Sequence, residues 1–167
     1  TVEKITSDGF GSFDFTSGTL TPAAFTLTTT APGAAGKDSR LFEDLAPGTY
    51  DVAETVPAGW NLASATCDDG SDPGAIGLSA GEDVVCTFVD ERETGAILIT
   101  KTRKHAASGP GDHPHAGVSF TITGGELPAG GVAVVTGANG EACYDGLVLS
   151  SFAGDYTVTE SVPAGYV

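Results

Sequence analysis

The sequence contains no methionine, one tryptophan, three histidines and three cysteines, and it has seven basic side chains against 22 acidic ones. Each shortage excludes something. A net charge of −15 at pH 7 repels polyanions, so nucleic acid and anionic membrane surfaces are excluded as partners. No apolar run approaches the roughly 20 residues of a membrane-crossing helix, so no membrane insertion is expected in this segment. No apolar pattern of helical period runs past two turns, which leaves strands as the building element. No Ser or His stands in the motif context of a hydrolase, and no Gly-rich phosphate loop is present. Neither an enzyme nor a cofactor is therefore expected. No signal-peptide pattern is visible. The lack of Met, even at position 1, implies a chain that begins inside a longer precursor, so a missing leader says nothing about export.

What is abundant points the same way. The 24 glycines and nine prolines suit a turn-rich chain, and Thr and Val fill the strand-like runs. One phrase occurs twice. Residues 48–60 read GTYDVAETVPAGW and residues 154–166 read GDYTVTESVPAGY, an offset of 106 residues. That offset is too long for a solenoid period and about right for one small domain. In each copy the alternation places Tyr50, Val52 and Glu54, or Tyr156, Val158 and Glu160, on one face of a strand. A carboxylate on an apolar face is costly unless paired or protonated.

Turn signals cut the first copy into seven or eight short strands within about ninety residues, the pattern of a β-sandwich. TVEKIT, FDFT, AAFTLTTT, the Tyr50–Glu54 run, residues 61–66 and residues 84–90 read as strands. AIGLSAGED reads as a turn-rich connection, and Trp60 is expected over an edge of the core. The reading is all-β: a first sandwich over residues 1–91, a short charged linker at 92–95 and a second sandwich over 96–167. The short linker implies close coupling. In the second copy, AILITKTRK, GVSFTITGG, VAVVTG and the Tyr156–Glu160 run are strand-like. Nothing follows that corresponds to residues 61–90, so this sandwich is expected to be incomplete at its C-terminus. A missing strand would leave an edge open to pairing with another chain.

The cysteines form no CxxC, which weakens zinc and thioredoxin readings. Cys67 and Cys86 flank a polar loop, and a disulfide closing it would be worth roughly 3 kcal/mol. The alternative is two reduced, buried thiols. Cys143 has no partner in view. His105, Asp112, His113 and His115 could in principle ligate a transition metal, but a Gly/Pro-rich loop with incidental histidines is the better reading. Asp68, Asp69 and Asp72 lack EF-hand spacing and read as an acidic turn rather than a calcium loop. No metal site is expected.

In the first copy, three ionisable residues have apolar neighbours on the same face: Lys4 beside Val2, Glu54 beside Val52 and Asp90 beside Phe88. Buried together, amine and carboxyls favour their neutral forms. A neutral amine can attack the carbonyl carbon of a neutral carboxylic acid, with a protonated Glu polarising that carbonyl and shuttling protons. Loss of one water leaves a Lys–Asp amide, a single-turnover event. The plainer alternative is an ordinary ion pair or two side chains reaching solvent, worth ~0–1 kcal/mol if exposed.

These residues resemble the prealbumin-like, Cna-B-type (SpaA-like) domains of Gram-positive surface proteins and pilins. That family's pattern pairs a first-strand Lys with a "dLpPGtYtvtEt.vPaGy" segment and a last-strand "tFvN". VEKIT, FEDLAPGTYDVAETVPAGW and CTFVDER match it in the first copy, and ILITKT and FAGDYTVTESVPAGY in the second. The resemblance implies a stalk or adhesin module, extracellular on the bacterial surface or cell wall. It also implies an intradomain isopeptide bond, with Lys4 as nucleophile, Glu54 as proton shuttle and Asp90 as acceptor, where Asn is commoner. Lys101 and Glu160 match in the second copy, and Lys104 fits less well because it lies off the Ile97/Ile99 face. The second acceptor is expected beyond Val167, as is a partner for Cys143. Neighbouring domains of the same precursor are the implied partners. The rival reading is a sandwich whose end loops bind a carbohydrate or a host or matrix protein.

Overall fold

Alternating inward and outward side chains set up the strands over residues 2–6, 12–16, 24–28 and 86–90. In the computed structural model, which describes residues 1–104, 111–149 and 153–162, the chain divides into two compact units, Thr1–Arg92 and Glu93–Val167. The first unit contains β1 (Val2–Thr6), β2 (Ser12–Thr16), β3 (Ala24–Thr28), β4 (Asp38–Arg40), β5 (Gly48–Tyr50), β6 (Ala53–Thr55), β7 (Trp60–Cys67), β8 (Ile76–Leu78) and β9 (Cys86–Arg92). One sheet has the order β4-β1-β9-β7, another β3-β2-β6, and β5 and β8 form a two-stranded ribbon. β1 runs parallel to β9, with Val2 opposite Cys86 and Thr6 opposite Asp90. The other pairings in these sheets are antiparallel.

The core lies between the sheets. Phe13 and Phe15 on β2, Phe25 and Leu27 on β3, and Phe88 on β9 are buried. Phe15 stacks on Phe25 at 5.2 Å between centroids and meets Phe88 edge-on at 5.1 Å. Trp60 packs edge-on against Phe13 at 5.1 Å, over the rim of this cluster as expected.

Two details differ from the strand reading. AIGLSAGED is not wholly a turn, because β8 forms within it. The run from Tyr50 to Glu54 is also not one strand. The chain leaves the ribbon after Tyr50 and enters the second sheet at Ala53. The cause is Asp51. Its carboxylate accepts hydrogen bonds from the Gly18 N–H (2.9 Å) and the Thr19 hydroxyl (2.6 Å), and its own N–H donates to Thr19 Oγ1 (2.9 Å). The Gly18 N–H, followed by the Thr19 hydroxyl, holds this carboxyl below its ordinary pKa. The clamp pulls Asp51 out of strand pairing and turns Val52 into the core.

The second unit contains β10 (Thr94–Thr100), β11 (Thr102–Lys104), β12 (Asp112–Pro114), β13 (Ser119–Gly124), β14 (Val132–Val135), β15 (Glu141–Val148) and β16 (Tyr156–Ser161). β10 pairs with β15, β11 with β12, and β14-β13-β16 form a three-stranded sheet. Here the run from Tyr156 to Glu160 lies in one continuous strand. Thr157 stands where the first copy has Asp51, and it pairs with Thr123 in the ladder. A β-branched residue with no carboxylate to be captured stays in the sheet. Val118, Phe120 and Ile122 are buried beneath it.

Candidate cross-linking site

The three ionisable residues of the first copy meet inside the sandwich. β1 sits between β4 and β9, so its inward side chains, Val2, Lys4 and Thr6, have no route to solvent. The parallel register sets Lys4 opposite Phe88, one inward position short of Asp90. The lysine stem crosses that step, and Nζ lies 2.6 Å from Asp90 Oδ1. From the facing sheet, β6 presents Glu54, whose Oε1 is 2.7 Å from the same nitrogen. The Lys4 and Asp90 side chains are 0% exposed and that of Glu54 is 1% exposed. The Phe13 ring closes the enclosure, with its centroid 4.2 Å from Nζ.

The contacts are close but are not hydrogen bonds. Nζ lies at ion-pair distance from one oxygen of each carboxyl, and neither it nor any of the four carboxyl oxygens has a partner at hydrogen-bonding angles. The exposed pair Lys37–Glu3 makes a proper hydrogen bond. Buried charge with poor hydrogen-bond geometry is an expensive state, so protonation of the acids is favoured. Burial pushes the Glu54 carboxyl above its ordinary range, and the Asp90 charge adds to this, against an opposing pull from Lys4. Burial also raises Asp90, again against Lys4. The arrangement therefore places an amine nitrogen against a carboxyl favoured in its protonated form, with a second such carboxyl alongside to carry a proton.

A pH dependence follows for the Lys4→Met variant, in which both acids stay buried without the opposing cation. A carboxyl raised in the folded chain binds protons more tightly there than when unfolded. Its contribution to stability is then lost as pH climbs from the ordinary value, 3.8 for Asp and 4.5 for Glu, through the raised one. Lys4→Met should therefore lose unfolding free energy across this window relative to Lys4→Met/Glu54→Gln/Asp90→Asn. Urea titrations at several pH values measure the gap. A gap that does not widen with pH would contradict the raised values.

The other residues singled out in the sequence lie as follows. Cys67 and Cys86 face each other across β7 and β9 and are joined by a disulfide. β9 is thus tied to β7 at its start and faces β1 through Asp90 near its end. Cys143, on β15, is exposed and opposite Leu98 of β10. Lys101 follows β10, and its Nζ lies 2.8 Å from Oε1 and 2.9 Å from Oε2 of Glu160. That pair is 29% and 27% exposed, so it is an ordinary ion pair worth ~0–1 kcal/mol. Lys104 lies exposed on β11. The two glutamates are equivalent in register: Glu54 faces Phe15 across β6 and β2, and Glu160 faces Phe120 across β16 and β13. Each repeated tyrosine donates to an upstream carbonyl at 2.7 Å, though not to equivalent positions: Tyr50 Oη to Ala46 and Tyr156 Oη to Val148.

Asp68, Asp69 and Asp72 accept hydrogen bonds from the N–H groups of Val85, Ser71 and Gly74, which makes them turn-closing residues. His113 and Asp112 lie on β12 and His115 just beyond it, while His105 falls outside the described residues. Among the described residues, no group of three or more His, Cys, Asp or Glu is arranged to hold a metal ion. Phe13 was not among the expected site residues. The signal for it was present, since FDF places Phe13 and Phe15 on one face, but no spacing rule says which Phe meets Lys4.

The profile of the SpaA_4 family, a prealbumin-like fold domain, matches residues 1–92. Two solved structures are similar. One, the TIE protein of Bacillus anthracis, matches at 24% identity and a TM-score of 0.52, over 99% of this chain and 28% of that one. The other, GBS52, the minor pilin of Streptococcus agalactiae, matches at 16% identity and a TM-score of 0.36, over 99% of this chain and 85% of that one. The chain thus spans little more than a quarter of the length of the TIE protein. No curated protein matches. No helix among the described residues is long and apolar enough to cross a membrane.

Proposed function

The chain belongs to the SpaA_4 family of prealbumin-like fold domains, and from that premise we propose that it is a stalk or adhesin module of a bacterial surface protein whose first unit cross-links itself between Lys4 and Asp90. One observation carries the reading: Lys4 Nζ lies within 2.7 Å of two carboxyl groups in an enclosure closed to solvent. The resemblance of the repeated GxY…E…PAG segments to Gram-positive surface modules supports the setting. Neighbouring domains of the same protein are the natural partners, and the extracellular surface is the location that a covalent staple would suit.

The reaction is a condensation. The Lys4 ammonium passes a proton to Glu54, and the free amine attacks Cγ of protonated Asp90. The Glu54 carboxylic acid holds the carbonyl oxygen, delivers its proton to the departing hydroxyl and, as the carboxylate, takes the surplus proton from the newly bonded nitrogen. The new bond is Nζ–Cγ, the broken bond is Cγ–OH, and one water leaves. No oxidant, metal or cofactor enters the balance. Proton transfer by a placed carboxyl typically accelerates such a step by about 10²–10⁴-fold.

The test is the intact mass of the purified chain, reduced and denatured. Reduction matters because the Cys67–Cys86 disulfide also lowers the mass, by two hydrogens. A chain one water lighter than calculated is expected, with Lys4→Ala and Asp90→Ala each at full mass. A parent chain at its calculated mass would overturn the proposal.

A further inference from the structure

One end of the first unit opens into a cavity that the cross-link does not use. It has a volume of about 830 Å³. Its floor is the end of the hydrophobic core itself: Val2, Leu20, Val52 and Ile76, with the partly buried Phe42, Tyr50 and Leu78 beside them. The segments 41–45 and 79–84 flank it, and Leu41 at its margin is 61% exposed. Each flank carries an adjacent pair of acids, Glu43–Asp44 on one and Glu82–Asp83 on the other.

No Lys or Arg lines the cavity; the one cation there is the Thr1 ammonium, which donates to the Val84 carbonyl at 2.8 Å and feels Asp83, leaving an excess of negative charge. Glu82 Oε2 accepts the Ser79 N–H at 2.8 Å, which closes its own turn, and the salt bridges of Lys4 and Lys37 lie elsewhere. Like charges gathered around an apolar, low-dielectric slot repel one another and focus a negative field into it. A cationic group at the mouth relieves the repulsion, and an apolar group on the floor covers surface otherwise wet. The two gains together are not available to a neutral sugar or an acidic segment.

We propose that this cavity is a docking site for a basic peptide segment, with a large apolar side chain seated on the Phe42–Leu78 floor and Lys or Arg on either side of it meeting the two acidic pairs. The site lies within the first unit and does not depend on the amide, so it stands or falls separately from the cross-link. It also places recognition at one end of the sandwich, on loops held by the β5–β8 ribbon.

The probe is the tetrapeptide Lys-Phe-Leu-Lys, blocked at both ends, titrated into the ¹⁵N-labelled full chain at low salt. Glu-Phe-Leu-Glu and Lys-Ser-Ser-Lys serve as controls. Shifts confined to residues 41–52 and 76–86 are expected with the first peptide, weaker ones with Lys-Ser-Ser-Lys, and none with the acidic peptide. The variant Glu43→Gln/Asp44→Asn/Glu82→Gln/Asp83→Asn should bind roughly tenfold more weakly and lose most of its salt dependence. All four changes keep an acceptor oxygen, and Asn tolerates the left-handed backbone of Asp44 at φ 58°. The proposal is overturned by any of three results: no shifts at ~5 mM peptide, equal binding of the acidic peptide, or unchanged affinity in the variant.

Discussion

Glu54→Gln should hold the chain at its full calculated mass and uncouple β1 from β9. Glutamine keeps the shape and the carbonyl but can neither take the lysine proton nor return one. Lys4 and Asp90 remain side by side in this variant, so an effect on mass isolates proton transfer from positioning. The thermodynamic consequence is large. The amide would close a loop that takes in almost the whole first unit, and loops of that length restrict the unfolded chain by about 4–5 kcal/mol. The variant also keeps a lysine that has lost one of its two buried charged partners. Guanidinium unfolding of the first unit should therefore shift its midpoint down markedly, and the mass should show no loss of water. A glutamine variant that still sheds one water would remove Glu54 from the reaction.

Phe13→Ala has the second large expected effect, and it acts on two quantities at once. The ring is 0% exposed, meets Trp60 edge-on and lies over Lys4 Nζ. Truncation of a core Phe costs about 3–5 kcal/mol from lost transfer energy and the cavity left behind. It also lets water reach the amine and the two acids. The pKa values of the two acids should fall back towards the ordinary range, and a hydrated ammonium is no nucleophile. A mixture of full-mass and water-depleted chains is expected, in contrast to complete conversion in the parent. Phe25→Ala is the matched control, since Phe25 is buried but stacks on Phe15 and carries no contact with Lys4. Equal conversion in the two variants would mean that exclusion of water by Phe13 has no part in the chemistry.

The fold was legible where side chains alternate. Val2/Lys4/Thr6, Phe13/Phe15 and Cys86/Phe88/Asp90 all fall at period two, and all point inward. The meeting of Lys4, Glu54 and Asp90 was readable for the same reason, because an ionisable group on an apolar face must find company. What escaped the sequence depends on partners far along the chain. Asp51 breaks its strand because Gly18 and Thr19 capture its carboxylate, and nothing near Asp51 announces them. β8 is three residues long and contains Gly77, so its strand propensity is poor, and its pairing with β5 alone defines it. β15 was hidden by Asp145 and Gly146 in its second half, although Ala142 and Leu147 are buried.

The parallel pairing of β1 with β9 decides how a pull on the chain is carried. The chain enters the first unit at Val2, opposite Cys86, and leaves it at Arg92, beyond the pair of Thr6 and Asp90. Tension applied through the two ends therefore drags these neighbouring strands in opposite directions along their length. The ladder is loaded in shear, with its hydrogen bonds sharing the stress, where an antiparallel pair pulled from one end would unzip bond by bond. An amide between Lys4 and Asp90 would shorten this path further. Stress would run from Val2 to Lys4, across one covalent bond, and out through Asp90, Glu91 and Arg92. Everything from Ile5 to Val89, including the aromatic core and the disulfide, would lie outside the line of load and stay folded under tension that the sheets alone would not withstand.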